Sequence, residues 1–206
     1  MTFIAERGAC LARFPQRSTH NSYREAPLMV SLSLTVLAAS LIMAPTGNAR
    51  AHVADSTRVN KYLSYNSGTK TAYITLIAAA TSVNGGLNFN GGSKGDQTIT
   101  VPAGWTVHIN FQNHDIIPHS AIVIRNQSPV PVTPSKPAFP VAFTTHLSDG
   151  LPAQTGHDTI QFKASSAGQY LIACGVPGHA VTGMYVNFVV SPTASAPTNT
   201  GTIGPP

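Results

Sequence analysis

The sequence predicts an all-β fold, a β-sandwich or barrel, because short apolar segments alternate with turn residues and no convincing amphipathic helix is present. The chain has 206 residues, of which 17 are Gly and 16 are Pro, a content typical of many turns. The clearest strand covers residues 105–112, where Trp105, Val107, Ile109 and Phe111 alternate with polar side chains. This period of two indicates a strand with one buried face.

The N-terminal region has the features of an export signal. Residues 26–44 contain no charged side chain, four Arg precede them, and a small-residue site ending at Ala51 follows them. We expect cleavage after Ala51, or retention of the apolar run as a membrane anchor, since its length approaches that of a bilayer span. Both alternatives place residues 52–206 outside the cytoplasm, in the periplasm or on the outer face of the cytoplasmic membrane, and both leave Cys10 in the leader.

The low charge excludes several classes of protein. Only 9% of the residues are charged, against about 25% in an average soluble protein, which is too few for a coiled coil, a charged disordered chain or a nucleic-acid binder. The net charge of +5 falls to +2 in residues 52–206, which contain seven Lys or Arg and five Asp. We therefore expect no nucleic-acid partner. With so few carboxylates to protonate, we also expect the exported part to tolerate acid.

The remaining elements follow in chain order. Residues 52–70 are polar and irregular, and residues 72–80 are rich in the β-branched and aromatic side chains that favour a strand. Further strands are predicted, besides 105–112, at 87–90, 98–101, 120–124, 141–144, 159–163, 169–173 and 184–190.

Two segments are predicted to lie outside the strands. The Pro-rich stretch 128–140 is a surface connection, and the tail 191–206, low in apolar residues, is expected to be disordered. The exported part is therefore divided into an N-terminal extension with the first strand (52–84), a folded domain (85–190) and the tail.

One segment carries the chemistry. Cys174, His179 and Met184 follow one another at intervals of five residues in CGVPGHAVTGM, and Cys174 is the only cysteine in the exported part. Sulfur ligands combined with imidazole select copper, and two His, one Cys and a weak axial Met describe a blue copper site. The alternative for Cys174 is a small buried apolar side chain, and the alternative for Met184 is core packing.

A blue copper site needs a second His from elsewhere in the chain. His119 is the best candidate, because it lies where a loop leads into an apolar strand. His108 is expected on the solvent face of its strand, and His114 in a turn beside Asn113 and Asp115. The other exported His residues, His52, His146 and His157, have no ligand spacing and are expected on the surface.

These motifs carry a resemblance. The pattern Cys-x4-His-x4-Met with an upstream Pro-His-Ser resembles the cupredoxin superfamily. Within it, LNFNG at 87–91, VPAGW at 101–105, NHDIIPHS and CGVPGHAVTGM resemble sulfocyanins, a family of small blue copper proteins. The resemblance covers residues 85–190 and implies a single Greek-key β-sandwich with copper ligands His119, Cys174, His179 and Met184.

The resemblance also implies a role. Sulfocyanins are not enzymes but pass single electrons in an extracytoplasmic respiratory chain, so the expected partners are redox proteins such as a cytochrome or a terminal oxidase. The alternative is a copper carrier that delivers metal to an oxidase, but carriers are often rich in Met, and Met184 is the only Met in residues 52–206.

Enzymatic readings have less support. The pair His114 and His119 is similar to one in copper nitrite reductases, but that family needs a second cupredoxin domain, for which this chain is too short. For a thiol protease, no orienting third partner of Cys174 can be named.

Side chains beside the ligands are expected to tune the site. The N–H and hydroxyl of Ser120 are placed to bond near the thiolate or the Cys174 loop, although Ser120 could equally be only the first residue of its strand. Gly175 lies next to Cys174 in the same loop. Pro118 and Pro177, with the neighbouring Ile116, Ile117 and Val176, are expected to form an apolar rim, which raises the reduction potential by disfavouring Cu(II).

Overall fold

Ten strands form two five-stranded sheets in a computed structural model, which describes residues 56–204. In spatial order, the first sheet contains β1 (Thr57–Asn60), β2 (Leu63–Asn66), β3 (Thr71–Ala78), β5 (Thr106–Asn113) and β7 (His157–Lys163). The second contains β10 (Thr198–Gly201), β4 (Gln97–Pro102), β9 (Tyr185–Ser191), β8 (Gly168–Ala173) and β6 (Ile122–Arg125).

The core lies between the two sheets, as the alternation of apolar residues predicts. In β5, Val107, Ile109 and Phe111 are fully buried, and β9 buries every second residue in the same way. The Phe162 ring of the first sheet contacts the Phe188 ring of the second edge to face, with centroids 6.0 Å apart. The period of two therefore places one face of each sheet against the other.

The connections cross between the sheets. β3 and β5 pair in parallel because the intervening β4 belongs to the other sheet, where it pairs in parallel with β9. The other strand pairs are antiparallel. The predicted all-β Greek-key sandwich is confirmed.

Some strand predictions are wrong because single residues turn the backbone. Two predicted strands, 87–90 and 141–144, form only isolated bridges through Phe89 and Phe143. A positive φ at Asn90 (55°) and Val141 (53°) interrupts the extended conformation within each of them. Ala79 has the same conformation, so β3 ends at Ala78 rather than Ala80.

Segments predicted to lie outside the core also contribute to it. Residues 57–66, expected to be irregular, form the pair β1 and β2 at the edge of the first sheet. The Pro-rich connection returns to the core at Phe139, which is 3% exposed and stacks on Phe162. Backbone hydrogen bonds of Val123 with Ala138 and Ala142 hold the same segment against β6.

The prediction of a disordered tail is wrong for the residues that the structure describes. β10 pairs with β4 at four register positions, and Asn199 is buried beside Gln97, whose Nε2 donates to Asn199 Oδ1 at 3.0 Å. The φ of Gly201 is 86°, and a side chain there would collide with the carbonyl of Asp96. Backbone pairing rather than apolar side chains holds this segment, so its composition gives no sign of a strand.

The folded domain therefore extends beyond the predicted 85–190 at both ends, from β1 to β10. The predicted signal or anchor, residues 1–51, lies outside the described residues, as do Cys10 and His52. In residues 56–204, no helix is long and apolar enough to cross a membrane.

Candidate metal centre

Short connections bring the predicted ligands to one end of the sandwich. His119 lies in the connection from β5 to β6, and Cys174 follows the last residue of β8. The loop from β8 to β9 contains His179 and returns the chain at Met184, directly before β9. Since Ala173 pairs with both Ile122 and Tyr185, the starts of β6 and β9 and the end of β8 meet at the same edge.

Three of the four predicted ligands converge on one point. The Cys174 Sγ lies 3.8 Å from His119 Nδ1 and 3.5 Å from His179 Nδ1, and the two Nδ1 atoms are 3.1 Å apart. Cys174 and His119 are completely buried, and His179 is half-buried. Among the described residues, this is the only group of three or more His, Cys, Asp or Glu arranged to hold a metal ion.

Met184 is fully buried, in the same apolar cluster as Cys174. Its N–H donates to the His179 carbonyl at 2.9 Å, and its carbonyl accepts from the Cys174 N–H at 3.0 Å. These bonds fix its backbone to both residues, while its role as an axial ligand stays a prediction.

Ser120 joins the two loops behind the thiol. Its N–H points to Cys174 Sγ at 3.5 Å, and its hydroxyl donates to the Leu147 carbonyl at 2.6 Å while accepting from the Gly175 N–H at 3.0 Å. Gly175 must be small, because a Cβ there would collide with the side chain and carbonyl of Leu147. Ser120 and Gly175 thus link the His119 and Cys174 loops beside the thiol.

The His119 loop is tied down by buried polar contacts. The Asn113 side chain donates to the carbonyls of Ile117, Leu151 and Pro152, and its Oδ1 accepts from the Asp115 N–H. His119 also exchanges backbone hydrogen bonds with Leu151.

Gly150 makes this pairing possible. It has a φ of 78°, and a Cβ there would lie 2.7 Å from Pro118 Cβ. A larger residue would therefore push the loop away from Leu151 and His119.

Asp115 contacts the far side of the His119 ring. Its Oδ2 lies 2.8 Å from His119 Nε2, and its side chain is 15% exposed. Burial acts to raise the pKa of Asp115, but hydrogen bonds from His119 and Ile116 outweigh it and hold the pKa below 3.8. Burial lowers the pKa of His119, with Asp115 acting in the opposite direction.

Burial also raises the pKa of the Cys174 thiol, although N–H groups of Ser120 and Val176 favour the thiolate. For His179, burial and the neighbouring His119 lower the pKa. In the absence of a metal ion, these pKa shifts favour the uncharged forms of His119, Cys174 and His179. A cation that binds there must therefore displace the thiol proton.

Exposed apolar side chains surround the outer edge of the site. Ile116 is 77% exposed, and Ile117, Val132 and Val181 are also exposed. The predicted rim residues Pro118 and Pro177 lie on the surface, and Val176 is partly buried. The sequence did not indicate Val132, which comes to this edge because its carbonyl accepts from the Gly178 N–H at 2.8 Å.

The other His residues lie outside the cluster. His114, His146 and His157 are exposed, as predicted. His108 is partly buried against Tyr73, with ring centroids 5.4 Å apart, rather than simply solvated.

A two-sheet β-sandwich with a His-Cys-His group at one end, buried except for His179, defines a protein of the cupredoxin type. The family model of the sulfocyanin (SoxE) domain matches residues 58–201, so the chain belongs to the sulfocyanin family. Sulfocyanin of Sulfolobus acidocaldarius is 31% identical over 140 residues, which cover 65% of this chain and 70% of the relative.

The chain is also similar in structure to rusticyanin and auracyanin. Rusticyanin from Thiobacillus ferrooxidans is 24% identical, with 59% of this chain and 82% of that chain covered and a TM-score of 0.42. Reduced auracyanin from Roseiflexus castenholzii is 22% identical, with 58% and 97% covered and a TM-score of 0.41.

Proposed function

We propose that this protein is an extracytoplasmic blue copper electron carrier, with one copper ion held by His119, Cys174 and His179 and by Met184 as a weak axial ligand. The observation that carries the proposal is the convergence of one Sγ and two Nδ1 atoms, all within 4.8 Å of one another. Membership of the sulfocyanin family supports it.

The donor set fits copper. A thiolate and two imidazoles match its preference for soft sulfur and nitrogen ligands. Separations of 3.1–3.8 Å allow all three atoms to reach one ion at bond lengths of about 2.0–2.3 Å, which are typical of nitrogen and thiolate ligands. Bound copper supplies one-electron chemistry between Cu(I) and Cu(II).

The protein's own residues hold the ligands in place and exclude water. Cys174, directly after β8, bonds the Met184 carbonyl, and His119 exchanges backbone hydrogen bonds with Leu151, so the donor atoms need little rearrangement when an electron arrives or leaves. His179 is the ligand nearest the surface and is half-buried. We infer that electrons enter and leave through its ring.

The apolar rim suits brief docking. Ile116, Ile117, Val132 and Val181 surround this edge without a charged side chain among them. Contacts of this kind are small in electron-transfer encounters, which must dissociate quickly. A cytochrome or a terminal oxidase of a respiratory chain is the partner we propose.

The alternative, a copper carrier that delivers metal to an oxidase, has less support. Metal delivery needs exposed ligands that exchange easily, whereas Cys174 and His119 are completely buried. The extracytoplasmic location is also part of the proposal, and the export signal or membrane anchor in residues 1–51 is the sequence feature that supports it.

The test is to add Cu(II) to the metal-free protein and record the visible spectrum and voltammogram. We expect an intense thiolate-to-copper band and reversible one-electron reduction, with the band abolished by Cys174→Ser. In the full-length chain, Cys10→Ser is the matched control and leaves the band unchanged. A wild-type protein without the band, or a Cys174→Ser variant that keeps it, contradicts the proposal.

A further inference from the structure

His119 has two ring nitrogens with different partners. Nδ1 faces Cys174 Sγ and His179 Nδ1, whereas Nε2 lies 2.8 Å from Asp115 Oδ2. The ring is 0% exposed and the carboxylate 15% exposed, so little water competes for this contact. From the sequence alone, Asp115 is expected only as part of a turn.

The contact decides which nitrogen is free to bind a cation. An ionised carboxylate can only accept hydrogen bonds, so the proton of the neutral ring must be on Nε2. Nδ1 is then left with its lone pair directed at the cluster. Without this partner, a neutral imidazole can also place its proton on Nδ1 and block that site.

Asp115 is itself held in position. Its Oδ1 accepts from the Ile116 N–H at 2.7 Å, its N–H donates to Asn113 Oδ1 at 2.9 Å, and its carbonyl accepts from the Gln154 N–H at 2.8 Å. Gly86 leaves space for the carboxylate, because a Cβ there would lie 3.0 Å from Oδ2. The bonds to Asn113 and Gln154 therefore hold the Asp115 backbone, and the Ile116 N–H holds its carboxylate.

From this geometry we propose that Asp115 is a positioning residue for the metal centre, which fixes the tautomer and orientation of His119 and lowers the reduction potential by stabilising Cu(II). The inference rests on the proposed function. A partly buried negative charge bonded to a ligand ring makes that ring more basic and favours the more positively charged metal.

This effect opposes that of the apolar rim. Exposed Ile116 and Ile117 exclude water and disfavour Cu(II), whereas the carboxylate beside them compensates part of its charge. Asp115 thus limits the increase in potential that the apolar surroundings alone would produce.

The test compares the copper-loaded wild type with Asp115→Asn at one neutral pH. Asn keeps an acceptor but removes the charge, so the affinity for Cu(II) relative to Cu(I) should fall about tenfold, an increase in potential of about 59 mV. Asp115→Ala also removes the acceptor, and its total copper affinity should fall about 10- to 100-fold. Asp158→Asn is the control, because that partly buried carboxylate bonds only Thr145 and the Thr159 N–H and should leave the potential unchanged.

A second readout does not need copper. Nitrogen-15 NMR of the metal-free wild type should show the His119 ring protonated at Nε2, and the fraction protonated at Nδ1 should increase in Asp115→Ala. A ring without a proton on Nε2, or potentials of Asp115→Asn and Asp158→Asn that shift alike, overturns the inference. If the wild type fails to form a blue site, the proposed function fails, while the NMR result still decides the role of Asp115.

Discussion

Single polar side chains connect the loops that form the metal centre. Ser120 is completely buried, and its hydroxyl joins the Leu147 carbonyl to the Gly175 N–H. Asn113 has the same role in the His119 loop, where one amide satisfies three carbonyls. A buried polar group that loses its partner keeps the full cost of its desolvation, so each of these side chains matters more than its size suggests.

Replacement of Ser120 by Ala tests this point. The substitution leaves the Leu147 carbonyl and the Gly175 N–H without a partner, and we expect the free energy of unfolding to fall by about 1–3 kcal/mol. Urea unfolding of the metal-free protein measures it, with the exposed Ser148→Ala as the control. Equal stabilities of the two variants would show that the hydroxyl is dispensable.

The strands position the loops of the metal centre, and backbone pairing between strands determines where the domain ends. β6, β8 and β9 are adjacent in the second sheet. The loop before β6, which contains His119, therefore lies beside the loop between β8 and β9, although the two loops are far apart in the sequence. β10 covers the outer edge of β4, which would otherwise present unpaired N–H and C=O groups.

Removal of β10 should destabilise the domain. A chain that ends after Ala196 loses four register pairs with β4, and we expect a loss of a few kcal/mol, at about 1 kcal/mol per backbone hydrogen bond. Exposure of the β4 edge should also increase aggregation. Thermal unfolding checks this against a chain that ends after Gly204, and an unchanged midpoint in the shorter chain would mean that β10 adds nothing to stability.

Considered as a whole, the domain has few groups whose protonation can unfold it. Burial and the neighbouring His119 lower the pKa of His179, and burial lowers that of His119 despite Asp115. For Asp158, hydrogen bonds from Thr145 and Thr159 outweigh burial and lower the pKa from 3.8. The His and Asp side chains therefore affect the free energy of unfolding in different pH ranges.

The metal-free protein should therefore lose stability in two steps. Because the folded-state pKa values of the two His lie below 6.5, the unfolded chain binds more protons, and stability falls as the pH decreases below that value. The contributions of Asp115 and Asp158 are fully present above 3.8 and disappear only as the pH falls through their lower folded-state values.

Unfolding free energies at pH 7.5, 5 and 3 separate the steps. In the copper-loaded protein, the first decrease should be smaller, because bound metal prevents protonation of the rings. Asp158→Asn should alter only the second step. A metal-free protein equally stable at pH 7.5 and 5 would exclude the lowered His pKa values. We therefore expect the acid tolerance predicted from the low charge to be greatest in the metal-bound form.

Part of this arrangement could be predicted from the sequence. The alternation in residues 105–112 predicted β5, and the spacing of Cys174, His179 and Met184 indicated their common loop. Asp115 was missed because an Asp beside Asn113 and His114 in a turn has an ordinary local explanation. Only the closure of the loop shows that its carboxylate reaches His119.

The sequence by itself determined the all-β class and the chemical identity of the donor atoms, because periodicity and ligand type are local properties of the chain. The tertiary structure decided how far the domain extends and what bonds the far side of the His119 ring. These depend on hydrogen bonds between distant segments, such as β10 with β4 or Ser120 with Leu147, and such bonds leave no apolar pattern in the sequence.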